Sequence, residues 1–365
     1  MSLDDFFDHM KYGRPYIGGD LAGSSGDLPG VDLSDRELSG FSVLSTSFAA
    51  ANFRQTKLSA LTFLKCDLSD CDFSGSEFRR CQFLQCNLQG ARFDGARFEK
   101  SALVECAADR SSFRGARFFM TNVIKTAFRD ADFHAVSIEK SALLECALER
   151  IDLSEGVLRN VAVTKADLRE AKLDGLDCDT IMLMEADLSN RDLRSVKLAR
   201  ANMTKTVFTG SNLAGLDLTG GVFKEANLQR ADLSGARASM TLFAGADLSG
   251  ANLRNAELSL TNFEGAKLQA TDLGGAKLEY SVMNNTQAAG ARFDSADLSI
   301  ARFGYADLKG ADFSGARFKQ TDLHCAALEG SLSAGASGST LPTDQARAIA
   351  ELYDPRRLTA DETGG

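Results

Sequence analysis

The stretch Ala246-Asp247-Leu248-Ser249-Gly250-Ala251-Asn252-Leu253-Arg254-Asn255 repeats its own pattern after five residues, and that step of five decides the fold. Starting at Leu33, the same step lands on Leu38, Val43, Phe48 and Phe53, and runs on without a slip to Phe318, Leu323 and Leu328. Of these 60 positions, 30 are Leu, 20 Phe, three Val, two Met and one Ile; only Ala108, Cys178, Ala238 and Ala288 are small. The 365 residues include 24 Phe, 5 Tyr and no Trp, so 20 of the 24 Phe sit in one phase of one period. Five is neither the 3.6 of an amphipathic helix nor the 2 of a flat strand.

Two residues before each large residue lies a second, mostly small class, as in Ala166, Ala186, Ala226, Ala231, Ala246, Ala251, Ala306 and Ala311. Asp or Asn falls between the two in 25 of the 60 units, and Gly is common two places after the large residue. The unit therefore reads Ala-(Asp/Asn)-Leu-x-x, and on these residues the chain resembles the pentapeptide-repeat family over 31–330. The resemblance implies an all-β solenoid: a right-handed quadrilateral β-helix with four pentapeptides per coil. The large residue and the small one before it would point inward, with tight corners suited to Gly, Ser, Asp and Asn. Sixty units make about 15 coils, and at roughly 4.8 Å per coil a rod of about 70 Å. Such a stack needs capping at both ends. Residues 1–30 are the expected N-terminal cap, with Leu3, Phe6, Phe7 and Met10 forming a short helical lid. Residues 331–365 read as a Gly/Ser linker, Ser331 to Ser339, then a capped helix after Pro342-Thr343-Asp344 that ends at Asp354-Pro355.

Bulk properties exclude several classes. No stretch approaches the roughly 18–20 apolar residues that span a bilayer. The start, MSLDDFFDHMKYGRPYIGG, lacks the basic and then apolar order of a secretory signal, which implies a cytoplasmic protein. Eight cysteines form no CxxC pair and three histidines are scattered, so no metal or other cofactor is expected. The net charge of −9 argues against direct nucleic-acid binding. No P-loop, HExxH or GxSxG motif is present, and a filled solenoid offers no cleft, so the chain reads as non-enzymatic.

With 20 residues per coil, residues 20 apart stack into ladders. Six of the eight cysteines fall in the inward small class, Cys66, Cys86, Cys106 and Cys146 on one ladder, and read as reduced core residues. On the third face, Leu44, Leu64, Leu84, Val104, Ile124, Leu144, Thr164 and Met184 follow the large residues, one per coil; Met240, Leu260, Tyr280 and Ile300 continue the theme at the neighbouring corner. An ordered apolar stripe of this kind marks a contact surface for a protein partner or a second copy, unless a terminal segment covers it. Beside it, Lys65, Gln85, Glu105, Lys125, Glu145, Lys165, Glu185, Lys205 and Glu225 nearly alternate in sign and should pair from coil to coil.

The resemblance also implies a competing reading, because relatives among quinolone-resistance proteins imitate DNA and bind DNA gyrase. An acidic first face carrying Asp72, Asp132, Asp152, Asp192, Asp232, Asp272 and Asp312 fits it. Charge arithmetic does not: residues 1–30 hold 5 acids and 2 bases and residues 331–365 hold 5 and 3, leaving 40 acids against 36 bases in the repeats. DNA carries one charge per roughly 1.7 Å. Long rods of this style also look similar to type VI secretion accessories and to secreted bacterial effectors. The leading expectation is a rigid scaffold or adaptor that binds a protein through the apolar stripe.

Overall fold

Twenty residues close one coil. The N–H of Phe53 donates to the carbonyl of Asp72 (2.7 Å), 19 residues ahead, and the N–H of Asn52 to the carbonyl of Val31 (2.9 Å), 21 behind. Many corners are closed by a bond three residues back, as from the Ala51 N–H to the Phe48 carbonyl (2.8 Å). The computed structural model describes residues 27–352, together with Asp8 and the backbone of Tyr16–Ile17. The expected lid over Leu3, Phe6, Phe7 and Met10 and the helix end at Asp354-Pro355 lie outside the described residues. The chain forms two compact units, residues 1–227 and 228–365, and each is a parallel β-solenoid on the same coil. The repeats amount to about ten coils in the first and five in the second.

In the first unit, two faces carry true strands. The third face is a nine-stranded parallel sheet that starts at Tyr16–Ile17 and runs through Ser42–Leu44, Thr62–Leu64 and Gln82–Leu84 to Met182–Met184. The second face is a seven-stranded parallel sheet from Glu37–Ser39 to Val157–Arg159. The residue after the large one on the third face is Leu, Val, Ile, Thr or Met here, mostly types that suit a pleated surface. In the second unit that position holds Ala244, Glu264, Asn284 and Gly304, and the faces keep single bridges such as Leu242↔Asn262 and Asn262↔Val282.

The core of the first unit is a column of rings. Phe53, Phe73, Phe93, Phe113 and Phe133 follow one another at 4.6–4.9 Å between centroids, and Phe78, Phe98 and Phe118 form a second stack at 4.5 and 4.6 Å. Where Leu replaces Phe, from Leu143 to Leu198, the filling is less complete and an apolar cavity of about 30 Å³ remains. Most inward Ser, Thr and Cys residues donate their hydroxyl or thiol to the carbonyl 23 residues earlier, while Ser111 and Thr286 turn to the carbonyl three residues back. Thr56 reaches Leu33 (2.9 Å), Thr206 reaches Leu183 (2.6 Å), Thr271 reaches Leu248 (2.8 Å) and Cys71 reaches Phe48 (3.0 Å). Ser, Thr and Cys are thus tolerated in a dry interior because nearly all find a backbone acceptor, the buried Ser281 hydroxyl being an exception.

The second unit ends differently from the sequence expectation. Residues 331–339 are not a linker throughout, because the N–H of Leu332 donates to Ala311 (2.9 Å), that of Ser337 to Ala316 (3.0 Å), and Ser337–Leu341 pairs in parallel with Arg317–Asp322. The bulky period is lost at Ser333 and Gly338, yet the hydrogen bonding continues. Gly338 is required there: its φ is +99° and a Cβ would lie 1.6 Å from the Phe318 carbonyl oxygen. The expected helix follows as α1, Gln345–Leu352, with Asp344 accepting the N–H groups of Ala346 (3.0 Å) and Arg347 (3.1 Å) as its N-cap.

Candidate protein-interaction surface

The two apolar ladders grouped by the sequence are structurally distinct. The first is one continuous register: Leu44 pairs with Leu64, Leu64 with Leu84, Leu84 with Val104, Val104 with Ile124, Ile124 with Leu144, Leu144 with Thr164 and Thr164 with Met184. These side chains stand on a flat face, each against the one a coil away, and all eight are half-buried. The stripe is therefore only partly open to water. Its first strand is itself extended by Tyr16–Ile17, which places backbone from the N-terminal segment at the Leu44 end.

The second ladder is open. Met240, Leu260 and Tyr280 are 59%, 58% and 54% exposed, and Ile300 is half-buried at the far end. They occupy the corner position, two after the large residue, where the chain takes a left-handed turn. Their φ angles are +59°, +62°, +62° and +59°, beside Gly245 and Gly265 at +66° and +65° on the adjacent corner. A side chain in this conformation costs about 1–2 kcal/mol relative to a right-handed one, a cost glycine escapes. Ile300 is the more unusual because it is β-branched; among the described residues, Thr180 is the other β-branched residue with positive φ. Three large apolar groups therefore stand in water, with Ile300 half-buried beside them, at left-handed corners that earlier coils of the same ladder fill with Arg80, Lys100, Lys140 and Arg200. What sets these four apart is that large apolar side chains occupy the corner in four successive coils.

Sequence reasoning missed two exposed methionines. Met120 (46%) is an isolated member of the same corner ladder between Lys100 and Lys140, and Met182 (42%) lies on the third face; neither has an apolar neighbour a coil away that would have flagged it.

The acidic first face is largely neutralised. Each of its seven aspartates accepts a backbone N–H two residues ahead: Asp72 from Ser74 (2.9 Å), Asp132 from His134 (3.0 Å), Asp152 from Ser154 (3.0 Å), Asp192 from Arg194 (3.2 Å), Asp232 from Ser234 (3.0 Å), Asp272 from Gly274 (3.0 Å) and Asp312 from Ser314 (2.9 Å). These are corner-closing bonds. Five of the seven also hold a cation, through Arg54–Asp72 (3.0 Å), Arg114–Asp132 (2.6 Å), Lys172–Asp152 (3.3 Å), Arg194–Asp192 (2.6 Å) and Arg254–Asp272 (3.1 Å). The Arg194 guanidinium and backbone N–H hold the Asp192 carboxyl down at about 2. The second face is a ladder of mixed sign with Lys57–Glu37 (2.7 Å), Arg97–Glu77 (3.7 Å), Lys197–Asp177 (3.5 Å) and Arg159–Asp177 pairs. On the third face the expected pairing occurs between Gln85 and Glu105 (2.9 Å), Lys165 and Glu145 (3.0 Å) and Lys205 and Glu225 (3.8 Å).

The nucleophile and ligand types are absorbed into structure. Burial pushes the thiols of Cys71 and Cys178 up to about 12 and those of Cys81 and Cys146 up to about 11, far from thiolate reactivity at neutral pH. Among the described residues no group of three His, Cys, Asp or Glu could hold a metal, and no helix is long and apolar enough to cross a membrane. His134 shares a hydrogen bond with the Ser154 hydroxyl (3.0 Å). His324, only 1% exposed, docks α1: its Nδ1 accepts the Asp344 N–H (3.3 Å) and its Nε2 lies 3.2 Å from Glu351. The Tyr305 hydroxyl and Arg347 also donate to Glu351, and together they push its carboxyl down to about 2.

Comparison with known proteins matches the register. The family model for the pentapeptide repeat region covers residues 76–153, and that for pentapeptide repeats in 8 copies covers 164–198, 186–225, 226–265, 266–303 and 296–332. Among solved structures, a trypsin-treated variant of QnrB1, a plasmid-mediated fluoroquinolone resistance protein, is similar at 20% identity over 60% of this chain and 96% of its own, with a TM-score of 0.26. HetL, involved in heterocyst differentiation regulation in the cyanobacterium Nostoc sp. strain PCC 7120, is similar at 22% identity over 80% and 96%, with a TM-score of 0.16. A pentapeptide repeat protein of the Arabidopsis thaliana thylakoid lumen is 30% identical over 31% and 68%, with a TM-score of 0.16. No curated protein matches. With its family models covering well over half its length in unbroken five-residue register, the chain belongs to the pentapeptide-repeat family.

Proposed function

We propose that the chain is a non-enzymatic scaffold that binds protein through the corner ladder Met240, Leu260, Tyr280 and Ile300. One observation carries this reading: three of the four are more than half exposed at left-handed corners, where a large apolar side chain costs stability and gains nothing in the core. Their register is fixed by backbone bonds such as Leu260 N–H to Glu279 (2.9 Å) and Tyr280 N–H to Ser299 (3.0 Å), so the surface is preorganised and loses little entropy on binding. The half-buried ladder from Leu44 to Met184 contributes a firm flank in the first unit and is not the favoured contact. The acidic alternative, a DNA-like face that engages gyrase, draws little support from carboxylates already tied to corner N–H groups and cations.

The test is a double substitution, Leu260→Glu with Tyr280→Glu, in the full-length chain. Both side chains point to water, so the circular dichroism spectrum and melting temperature should stay near those of the parent, while specific protein cross-links formed in the native host disappear. Cross-links that persist undiminished would remove the ladder from the interface.

A further inference from the structure

Resting on that reading, we propose that the occupant of the corner ladder is the same ladder of a second copy, packed antiparallel about a two-fold axis between Leu260 and Tyr280. Beside the apolar residues runs a ladder of alternating sign on the second face: Arg237, Glu257, Lys277, Asp297 and Arg317, one per coil. Within the chain its members already pair, Lys277 with Glu257 at 3.1 Å and Arg317 with Asp297 at 3.3 Å.

An isologous contact between two such edges has few registers, and charge selects among them. When coils run antiparallel and the two-fold axis lies between Leu260 and Tyr280, Met240 meets Ile300 and Leu260 meets Tyr280. In that register Arg237 faces Asp297 and Glu257 faces Lys277, each twice by symmetry. On the other flank Leu242 meets Arg302 and Asn262 meets Val282, with no like charges opposed. Sliding one copy by a single coil reverses the outcome. An axis through Leu260 opposes Glu257 to itself and Arg237 to Lys277, and an axis through Tyr280 opposes Lys277 to itself and Glu257 to Asp297. A parallel pair sets Arg237, Glu257 and Lys277 against Leu242, Asn262 and Val282 and gives an opposite charge only to Asp297, which faces Arg302. The one register that buries all four apolar residues is thus the one in which Arg237, Glu257, Lys277 and Asp297 each meet an opposite charge, which is how a contact specifies itself against its neighbours.

The contact spans four coils, about 20 Å at roughly 4.8 Å each. It belongs with small, reversible interfaces rather than obligate ones. The structure therefore assigns a concentration-dependent dimer whose salt sensitivity comes from the charged flank.

Charge reversal with mixing tests it on the full chain by sedimentation velocity across a concentration series. Arg237→Glu would set Glu against Asp297, and Asp297→Lys would set Lys against Arg237, so each variant alone should dimerise at least tenfold more weakly than the parent. An equimolar mixture restores both complementary pairs and should recover the parent association. Leu260→Glu should abolish association of any mixture. A parent chain that stays monomeric throughout the series, single variants that associate like the parent, or a mixture that fails to recover would each overturn the proposal. Monomeric behaviour combined with loss of host cross-links in the Leu260→Glu, Tyr280→Glu chain would end self-pairing while leaving the protein-binding reading intact.

Discussion

The ladder from Leu44 to Met184 and the ladder from Met240 to Ile300 are built from the same residue types, yet they stand one position apart in the pentapeptide and have different fates. One place after the large core residue the backbone is extended, neighbours a coil away cover each side chain, and Leu84 or Ile124 is half-buried. Two places after it the chain turns left-handed, the side chain leaves the corner, and Leu260 is 58% exposed. In a repeat of five, one step separates a half-buried apolar ladder from an exposed one.

The comparison can be broken most forcefully from inside. Phe93 stacks on Phe73 and Phe113 at 4.9 and 4.6 Å and is fully buried, so Phe93→Ala should cost about 3–5 kcal/mol by urea unfolding. A loss below about 1 kcal/mol would mean that the ring column does not hold the first unit together.

The two ladders themselves can be set against each other next. Leu84→Lys removes a half-buried side chain and should cost about 1 kcal/mol, whereas Leu260→Lys should lie within about 0.5 kcal/mol of the parent. Equal costs in thermal melts would erase the distinction between face and corner.

Smallest and opposite in sign is Ile300→Gly. It relieves a β-branched residue at φ +59° and should raise stability by up to about 1 kcal/mol while weakening association. A destabilised variant would show that the Ile300 side chain works in folding after all.

Much of the architecture is legible in the sequence because the core is one-dimensional. The large positions from Leu33 to Phe313 are buried, with the exceptions confined to the last coil, where Phe318 and Leu323 are half-buried and Leu328 is 38% exposed. The aspartates were legible as corner residues, but their cations were not, since Arg54 and Asp72 or Arg114 and Asp132 stand 18 apart and meet only once the coil is closed. The stretch after Ser331 reads as a linker because Ser333 and Gly338 erase the bulky period, while the backbone bonds that continue the solenoid leave no mark in side-chain pattern. The role of His324 was hidden for a similar reason. Its partners Asp344 and Glu351 lie on a segment whose docking no repeat dictates. Which apolar ladder stands in water depends on the left-handed corner, a backbone property that Met, Leu, Tyr and Ile do not advertise.

Two methionines offer the most direct test of the claim that the corner ladder of residues 228–365 is a contact surface. Met240 (59% exposed) lies in that ladder, and Met120 (46% exposed) stands alone in the first unit. Oxidative footprinting read by mass spectrometry should give both similar rates in dilute protein. As concentration rises and the chain associates, Met240 should become protected several-fold while Met120 keeps its rate. Equal rates for Met240 at every concentration, in the presence of material from the native host as well as in its absence, would contradict the account.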